Sequence, residues 1–183
     1  MAQRTSTLAL FDFDGTLVRL ATDWNRLQNG LERLAAEAGV EEEGGLLALL
    51  ARLDTIPVAR AKALQQVTSA ELAGVRSGSC IAEGVDLYLR LRDDGARVAI
   101  VSHNSRQAID EFFEQTGLPN PHAVFDRQSL GESKERSDAI VTYVNDQAAE
   151  RVLVIGDTPT DHALAERLGA EFVLVGAESD GRK

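Results

Sequence analysis

Cysteine is nearly absent from this 183-residue chain. Cys80 stands alone, so no internal disulfide can form, which fits a reducing compartment or mere indifference to redox. A single cysteine reads as a small buried hydrophobe near a domain junction rather than as a nucleophile. Basic residues are also in deficit, 19 against 29 acidic ones, for a net charge of -10. That balance argues against a nucleic-acid polymer or an anionic membrane surface as partner. A small anionic substrate stays possible where a metal or a lysine reverses the sign locally. No apolar run approaches the length that crosses a bilayer. The amino terminus has one arginine and no long apolar stretch before Asp12, so it is not expected to be a signal peptide. The expectation is a cytoplasmic protein. Repeats and low-complexity segments are missing too.

What is present is ordinary in bulk, with 44% hydrophobic and 26% charged residues. The length suits one domain, or one domain with a modest insertion. The chain is organised around Leu8 to Val18, Leu-Ala-Leu-Phe-Asp-Phe-Asp-Gly-Thr-Leu-Val. Leu8 to Phe11 have the density of a buried strand, and Gly15 allows a sharp exit. Alternation along a strand puts Asp12 and Asp14 on one face, ~6.6 Å apart. Two like charges there repel unless a cation, a proton or a hydrogen-bond network intervenes. The alternative is ordinary Asp-Gly turn chemistry.

From Leu17 to about Ser79 the pattern becomes helical. Trp24, Leu27, Leu31, Leu34 and Ala38 mark an amphipathic helix, with Thr22 or Asp23 as cap and Gly39 as terminator. Glu41 to Gly45 reads as a solvated turn and Leu46 to Leu53 as a short helix. Pro57 opens a third helix, with Val58, Ala61, Leu64, Val67 and Leu72 on or near its packing face. Ser77 to Ser79 is a candidate hinge.

From Glu83 onward strands and helices alternate. Strands are expected at Val98–Val101, Ala123–Phe125, Val152–Ile155 and Phe172–Val175. Helices are expected at Val85–Arg92, Ser105–Thr116, Ser133–Ala149 and Pro159–Leu168, with a polar tail from Gly176. Buried strands separated by helices imply an α/β, doubly wound parallel Rossmann-like sheet of about five strands. The expected division is a core of residues 1–18 and 80–183 with a small all-helical insertion, 19–79. Ligands in such sheets sit at the carboxyl ends of the strands.

The residues following those strands carry chemistry. Asp12 and Asp14 follow the first; Ser102, His103, Asn104 and Ser105 the next; Gly156, Asp157, Thr158, Pro159, Thr160 and Asp161 a later one. Lys134 lies between the third strand and the next helix. This is the inventory for moving a phosphoryl group with a divalent metal. Each member also has a plainer reading. Ser102 could be a strand-end hydroxyl and Ser105 a helix cap. Lys134 could be a surface lysine, although the first turn of a helix disfavours a cation. Asp161 falls where a capping-box acid belongs, with Thr158 as cap and Pro159 at the first helical position.

Together, Asp12-Phe-Asp14-Gly-Thr16, Ser102 after an apolar strand, Lys134, and Gly156-Asp157 with Asp161 four residues on resemble the four signatures of the haloacid-dehalogenase superfamily of phosphotransferases. The resemblance covers Leu8 to Thr16 and about Val98 to Val175, and the helical insertion resembles a cap placed after the first strand. Lys134 departs from the pattern, being followed by Glu135, Arg136 and Ser137 where relatives often have proline, and Arg19 stands where many carry a small or acidic residue.

The resemblance implies an Mg2+-dependent phosphatase acting on a small phosphorylated metabolite. Asp12 would attack phosphorus, forming an aspartyl-phosphate that water hydrolyses, and Asp14 would be the general acid and base. Mg2+ would be held by Asp12, the Asp14 backbone carbonyl and Asp157, with Asp161 orienting the site from further out. Ser102 and Lys134 would hold and neutralise the phosphoryl oxygens, with Thr16, His103 and Asn104 at the substrate. A sugar-phosphate mutase of the same family and a catalytically retired relative that binds a partner are the alternatives. Dehalogenation of carbon has no need of the acidic site, and a phospho-aspartate receiver does not match the first block. Arg19, Trp24, Arg26 and Arg60 are candidates for reaching the leaving group. Nothing in the sequence assigns an oligomeric state.

Overall fold

The computed structural model describes residues 6–40, 45–131 and 133–176. Its centre is β1 (Thr7–Phe11), flanked by β4 (Arg97–Val101) and β6 (Arg151–Gly156). β5 (Ala123–Phe125) and β7 (Glu171–Leu174) form the edges, in the order β5-β4-β1-β6-β7, and every pairing is parallel. The alternation in β1 shows why. Leu8 and Leu10 pack with Val154, with Ile140 of α7 (Asp138–Gln147) and with Leu164 of α8 (Pro159–Leu168). Ala9 and Phe11 face the other way, toward Tyr88 of α4 (Ala82–Asp93) and Ile109 and Phe112 of α5 (Arg106–Thr116). A sheet covered on both faces needs strands apolar on both sides, and this is the α/β doubly wound arrangement.

The chain runs from β1 outward to β4 and β5, then crosses back to lay β6 and β7 on the other side. The loops after β1 and β6 therefore part at a topological switch point, where a crevice forms.

Residues between β2 (Val18–Arg19) and β3 (Ser79–Cys80) build a second hydrophobic cluster. Leu27, Leu31 and Leu34 of α1 (Trp24–Glu37), Leu49, Leu50 and Leu53 of α2 (Leu46–Leu53), and Ala59, Ala63 and Val67 of α3 (Pro57–Ser77) meet there. Asp23 caps α1, accepting from the Arg26 N–H at 2.9 Å.

Several local expectations are corrected. The buried stripe of α3 is Ala59, Ala63, Val67, Glu71 and Val75, while Val58 is 70% exposed. The i+4 stripe passes from the insertion's core at Val67 to the sheet's core at Val75, so its register is set by two partners at once. The hinge at Ser77–Ser79 is partly a strand: Ser79 and Cys80 pair antiparallel with Arg19 and Val18, binding the two crossings of the chain together. Cys80 is exposed, because this two-stranded ribbon lies at the surface.

The expected helix Ser133–Ala149 is interrupted. Lys134–Arg136 form a short 3₁₀ turn, Ser137 is extended (φ -69°, ψ 116°), and α7 begins at Asp138. The break frees Lys134 to bury its side chain. A further short helix, α6 (Arg127–Leu130), follows β5. Glu41 to Gly44 and the tail beyond Gly176 lie outside the described residues. Among the described residues, no helix is long and apolar enough to cross a membrane.

Candidate active site

The turn after β1 sorts its side chains by alternation. Phe11 stacks edge-on against Tyr88 with ring centroids 5.4 Å apart, and Phe13 against Phe112 at 5.3 Å. These fully buried rings anchor the turn in the core, and Asp12 and Asp14 alternate with them. The Asp12 N–H still continues the ladder, donating to the Ile155 carbonyl at 2.8 Å. Asp14 is half-buried, and its Oδ1 accepts from the Leu20 N–H at 3.0 Å. Gly15 then adopts φ +94°, and a Cβ there would collide with the Asp157 carboxylate. Only glycine lets the acid after β6 come up against the β1 turn.

Lys134 is the pivot of the site. Its side chain is 6% exposed and its Nζ lies 2.8 Å from Asp12 Oδ1 and 2.5 Å from Asp161 Oδ1. The other Asp161 oxygen, Oδ2, accepts from the Thr158 N–H at 3.0 Å and the Thr158 hydroxyl at 2.6 Å. Asp161 thus serves as the capping-box acid of α8 and as a partner of Lys134. A Cβ at Gly156 would strike the Asp161 carboxyl, so a second glycine permits this approach.

One carboxylate oxygen each from Asp12, Asp157 and Asp161 lie within 4.8 Å of one another. Asp14 is not in this cluster of side chains. Burial, reinforced by the charges of Asp161 and Asp157, pushes the Asp12 carboxyl up to about 7 despite the opposing pull of Lys134. Burial also works against the Lys134 ammonium, but Asp12 and Asp161 outweigh it and hold the lysine charged. Three acids against one lysine leave excess negative charge in a water-poor space. Such an all-oxygen donor set suits a hard divalent cation.

Of the other residues expected at the site, His103 feels the Lys134 charge, and Ser102 and Thr16 have surroundings of their own. Ser102 is buried, donating its hydroxyl to Asn104 Oδ1 at 2.8 Å and its N–H to the Phe125 carbonyl at 2.9 Å. Thr16 is fully buried, and its hydroxyl has no hydrogen-bond partner among the described residues. His103 is half-buried; burial, then the Lys134 and Arg127 charges, lower its pKa and keep it neutral at pH 7.

The candidates for the leaving group are scattered. Arg19 is exposed on β2, and Trp24 packs between the two cores. Arg26 lines a groove of about 590 Å³ between α1 and α3 that none of the catalytic candidates borders. Arg60 pairs with Asp54 beside a second cavity, about 370 Å³, between α2 and α3 on one side and the starts of α5 and α6 on the other.

One buried residue and its half-buried partner escaped the sequence reading. Glu71 of α3 is 1% exposed, and its carboxylate accepts from the Asn104 side-chain amide at 3.2 Å and the Ser105 N–H at 2.9 Å. It also pairs with the Arg127 guanidinium. The available signal was a carboxylate on an i+4 apolar stripe, Ala63-Val67-Glu71-Val75.

A family model described as haloacid dehalogenase-like hydrolase matches residues 9–166. The chain belongs to the haloacid dehalogenase-like hydrolases. A phosphoserine phosphatase of Halobacterium salinarum is 30% identical over 118 residues, covering 61% of this chain and 52% of that protein. The chain thus spans about half the length of this curated relative. CbbY from Rhodobacter sphaeroides in complex with phosphate superposes with a TM-score of 0.66 at 16% identity, over 96% of this chain and 88% of that one. A CbbY mutant bound to xylulose-(1,5)bisphosphate gives 0.66 at 17% identity, over 94% and 91%. At such identities these likenesses concern the fold, and for this haloacid dehalogenase-like hydrolase they agree with the sheet order described above.

Proposed function

We propose that this hydrolase is an Mg2+-dependent phosphatase that cleaves a small phosphate monoester through an aspartyl-phosphate on Asp12, with the helices of residues 19–79 as its cap. The observation that carries the reading is Lys134 buried between Asp12 and Asp161, with Asp157 beside them. Asp12 and Asp157, with the Asp14 backbone carbonyl, would hold Mg2+, which when bound supplies positive charge for carboxylate and phosphoryl oxygens together. Asp161 has one oxygen in the α8 capping box and the other on Lys134, so it orients the lysine rather than leading the donor set.

The obstacle to attack is electrostatic. Two unit charges ~4 Å apart repel by about 4 kcal/mol at an effective dielectric of 20. Lys134, touching the attacking carboxylate itself, offsets part of that repulsion and follows the charge onto the transferred group. Asp14 protonates the leaving oxygen and then takes a proton from the water that releases phosphate. The Leu20 N–H holds one of its oxygens, fixing the carboxyl through both steps. Ser102, its hydroxyl turning from Asn104 Oδ1, and neighbouring N–H groups would receive the phosphoryl oxygens. The names of the similar proteins, a phosphoserine phosphatase and CbbY bound to a sugar bisphosphate, support a small phosphorylated metabolite as substrate class.

The test is hydrolysis of p-nitrophenyl phosphate with and without Mg2+. Turnover is expected to depend reversibly on the metal and to vanish in Asp12→Asn. Metal-independent turnover, or an active Asp12→Asn variant, would contradict the reading.

A further inference from the structure

A buried carboxylate joins the helical insertion to the phosphate loop, and the proposed catalysis does not use it. Glu71 lies on α3 where the stripe changes partner, one turn beyond Val67 of the insertion's core and one turn before Val75 of the sheet's core. An isolated charge in that place would be strongly destabilising. Among the described residues its partners all belong to the sheet domain: the Asn104 amide, the Ser105 N–H and the Arg127 guanidinium.

The geometry points to Glu71 as a positioning residue that fixes the Ser102–Ser105 loop and transmits the seating of the helical insertion to it. By accepting from Asn104 Nδ2, Glu71 decides which way that amide faces. Asn104 Oδ1 is thereby turned to Ser102, whose hydroxyl lies 2.8 Å away. The second Glu71 oxygen holds the Ser105 N–H at the start of α5, where the helix dipole also favours an anion. Ser105 in turn caps α5 through its own hydroxyl, on the Ala108 N–H. The Arg127 N–H donates to the Asn104 carbonyl at 3.1 Å, so the loop is held from both sides. When α3 sits on α5, every member of this chain of bonds is satisfied and Ser102 is aligned. When α3 lifts, Asn104 and Ser105 lose their acceptor together. This assignment rests on the phosphatase reading for its catalytic consequence, but not for the ordering of the loop.

Three forms decide it: wild type, Glu71→Gln, and Glu71→Gln with Arg127→Gln, in which no charge is stranded. Each is measured for kcat and KM with p-nitrophenyl phosphate, inhibition by inorganic phosphate, thermal midpoint, and amide exchange at Ser105 without ligand. The double variant is expected to stay folded, with Ser105 exchange faster and both KM and the phosphate inhibition constant raised about tenfold, the loss of roughly one charged hydrogen bond. kcat should fall less. A double variant with wild-type exchange and wild-type phosphate inhibition would overturn the assignment, leaving Glu71 as no more than the counter-ion of Arg127. If the wild type proved inert toward aryl phosphate, the functional reading would fall. Ser105 exchange would then still decide the loop, faster exchange supporting the assignment and unchanged exchange ending it.

Discussion

Asp14 shows how much one residue's placement can predict. Its carboxylate is tied to the Leu20 N–H and stands outside the cluster of Asp12, Asp157 and Asp161, a position suited to moving protons rather than holding charge. Asn at this position keeps an acceptor for Leu20 and loses the proton. Asp14→Asn is therefore expected to slow esters with poor leaving groups by roughly 100- to 10,000-fold. p-Nitrophenyl phosphate, whose leaving group needs little protonation, should suffer less in the first step. Steady-state and burst kinetics on alkyl and aryl esters test this, and equal losses in that step would remove Asp14 from the acid role. The residues that meet at the site were legible because they share one sheet edge, and strand ends are visible in hydrophobic patterning. Asp161 carried two readings in the sequence, cap and site, and the structure shows it as the α8 cap and as a partner of Lys134. Glu71 and Arg127 were not legible as a pair. Their contact spans 56 positions, and no local period signals it.

At the scale of elements, period and caps identified β1, α1, α5 and α8 closely, because each is fixed by short-range chemistry. In α3, Val67 lies on the buried stripe and Leu64 packs beside it, while Val58 and Ala61 are exposed, since the stripe answers to two cores. The helix around Lys134 broke because the lysine is drawn into a buried ion pair that a continuous helix would not place. α4 offers a test of packing. Tyr88 is fully buried and its hydroxyl donates to the Pro119 carbonyl at 2.6 Å. Burial pushes this phenol up to about 12, against the opposing charge of Arg92. A folded-state value raised above the unfolded one gives stability fully present below about pH 10 and lost as pH rises through about 12. Tyr88→Phe should lower stability by about 1–2 kcal/mol at neutral pH. It should also flatten the alkaline loss in denaturant titrations. A mutant with the same alkaline slope as wild type would show that another group governs it.

For the whole molecule, the doubly wound order brings acids from the β1 and β6 loops together with a lysine from beyond β5, and this concentration of charge links folding to metal. Without a metal, the raised Asp12 value makes the native state bind its proton more tightly than the unfolded chain does, so this group's contribution declines as pH rises from about 4 to about 7. On the proposed function Mg2+ would compete with that proton, and ligand binding to the native state raises stability by mass action. The thermal midpoint should therefore rise more with Mg2+ at pH 8 than at pH 5. An equal or larger rise at pH 5 would place the metal away from Asp12. The most direct measurement is the mass of the protein quenched in acid during turnover of p-nitrophenyl phosphate by Asp14→Asn, which on the proposed mechanism lacks the base for the second step. A phosphoryl adduct on the peptide carrying Asp12 is expected, absent when Asp12 is also replaced. Turnover with no adduct, or an adduct on another residue, would contradict it.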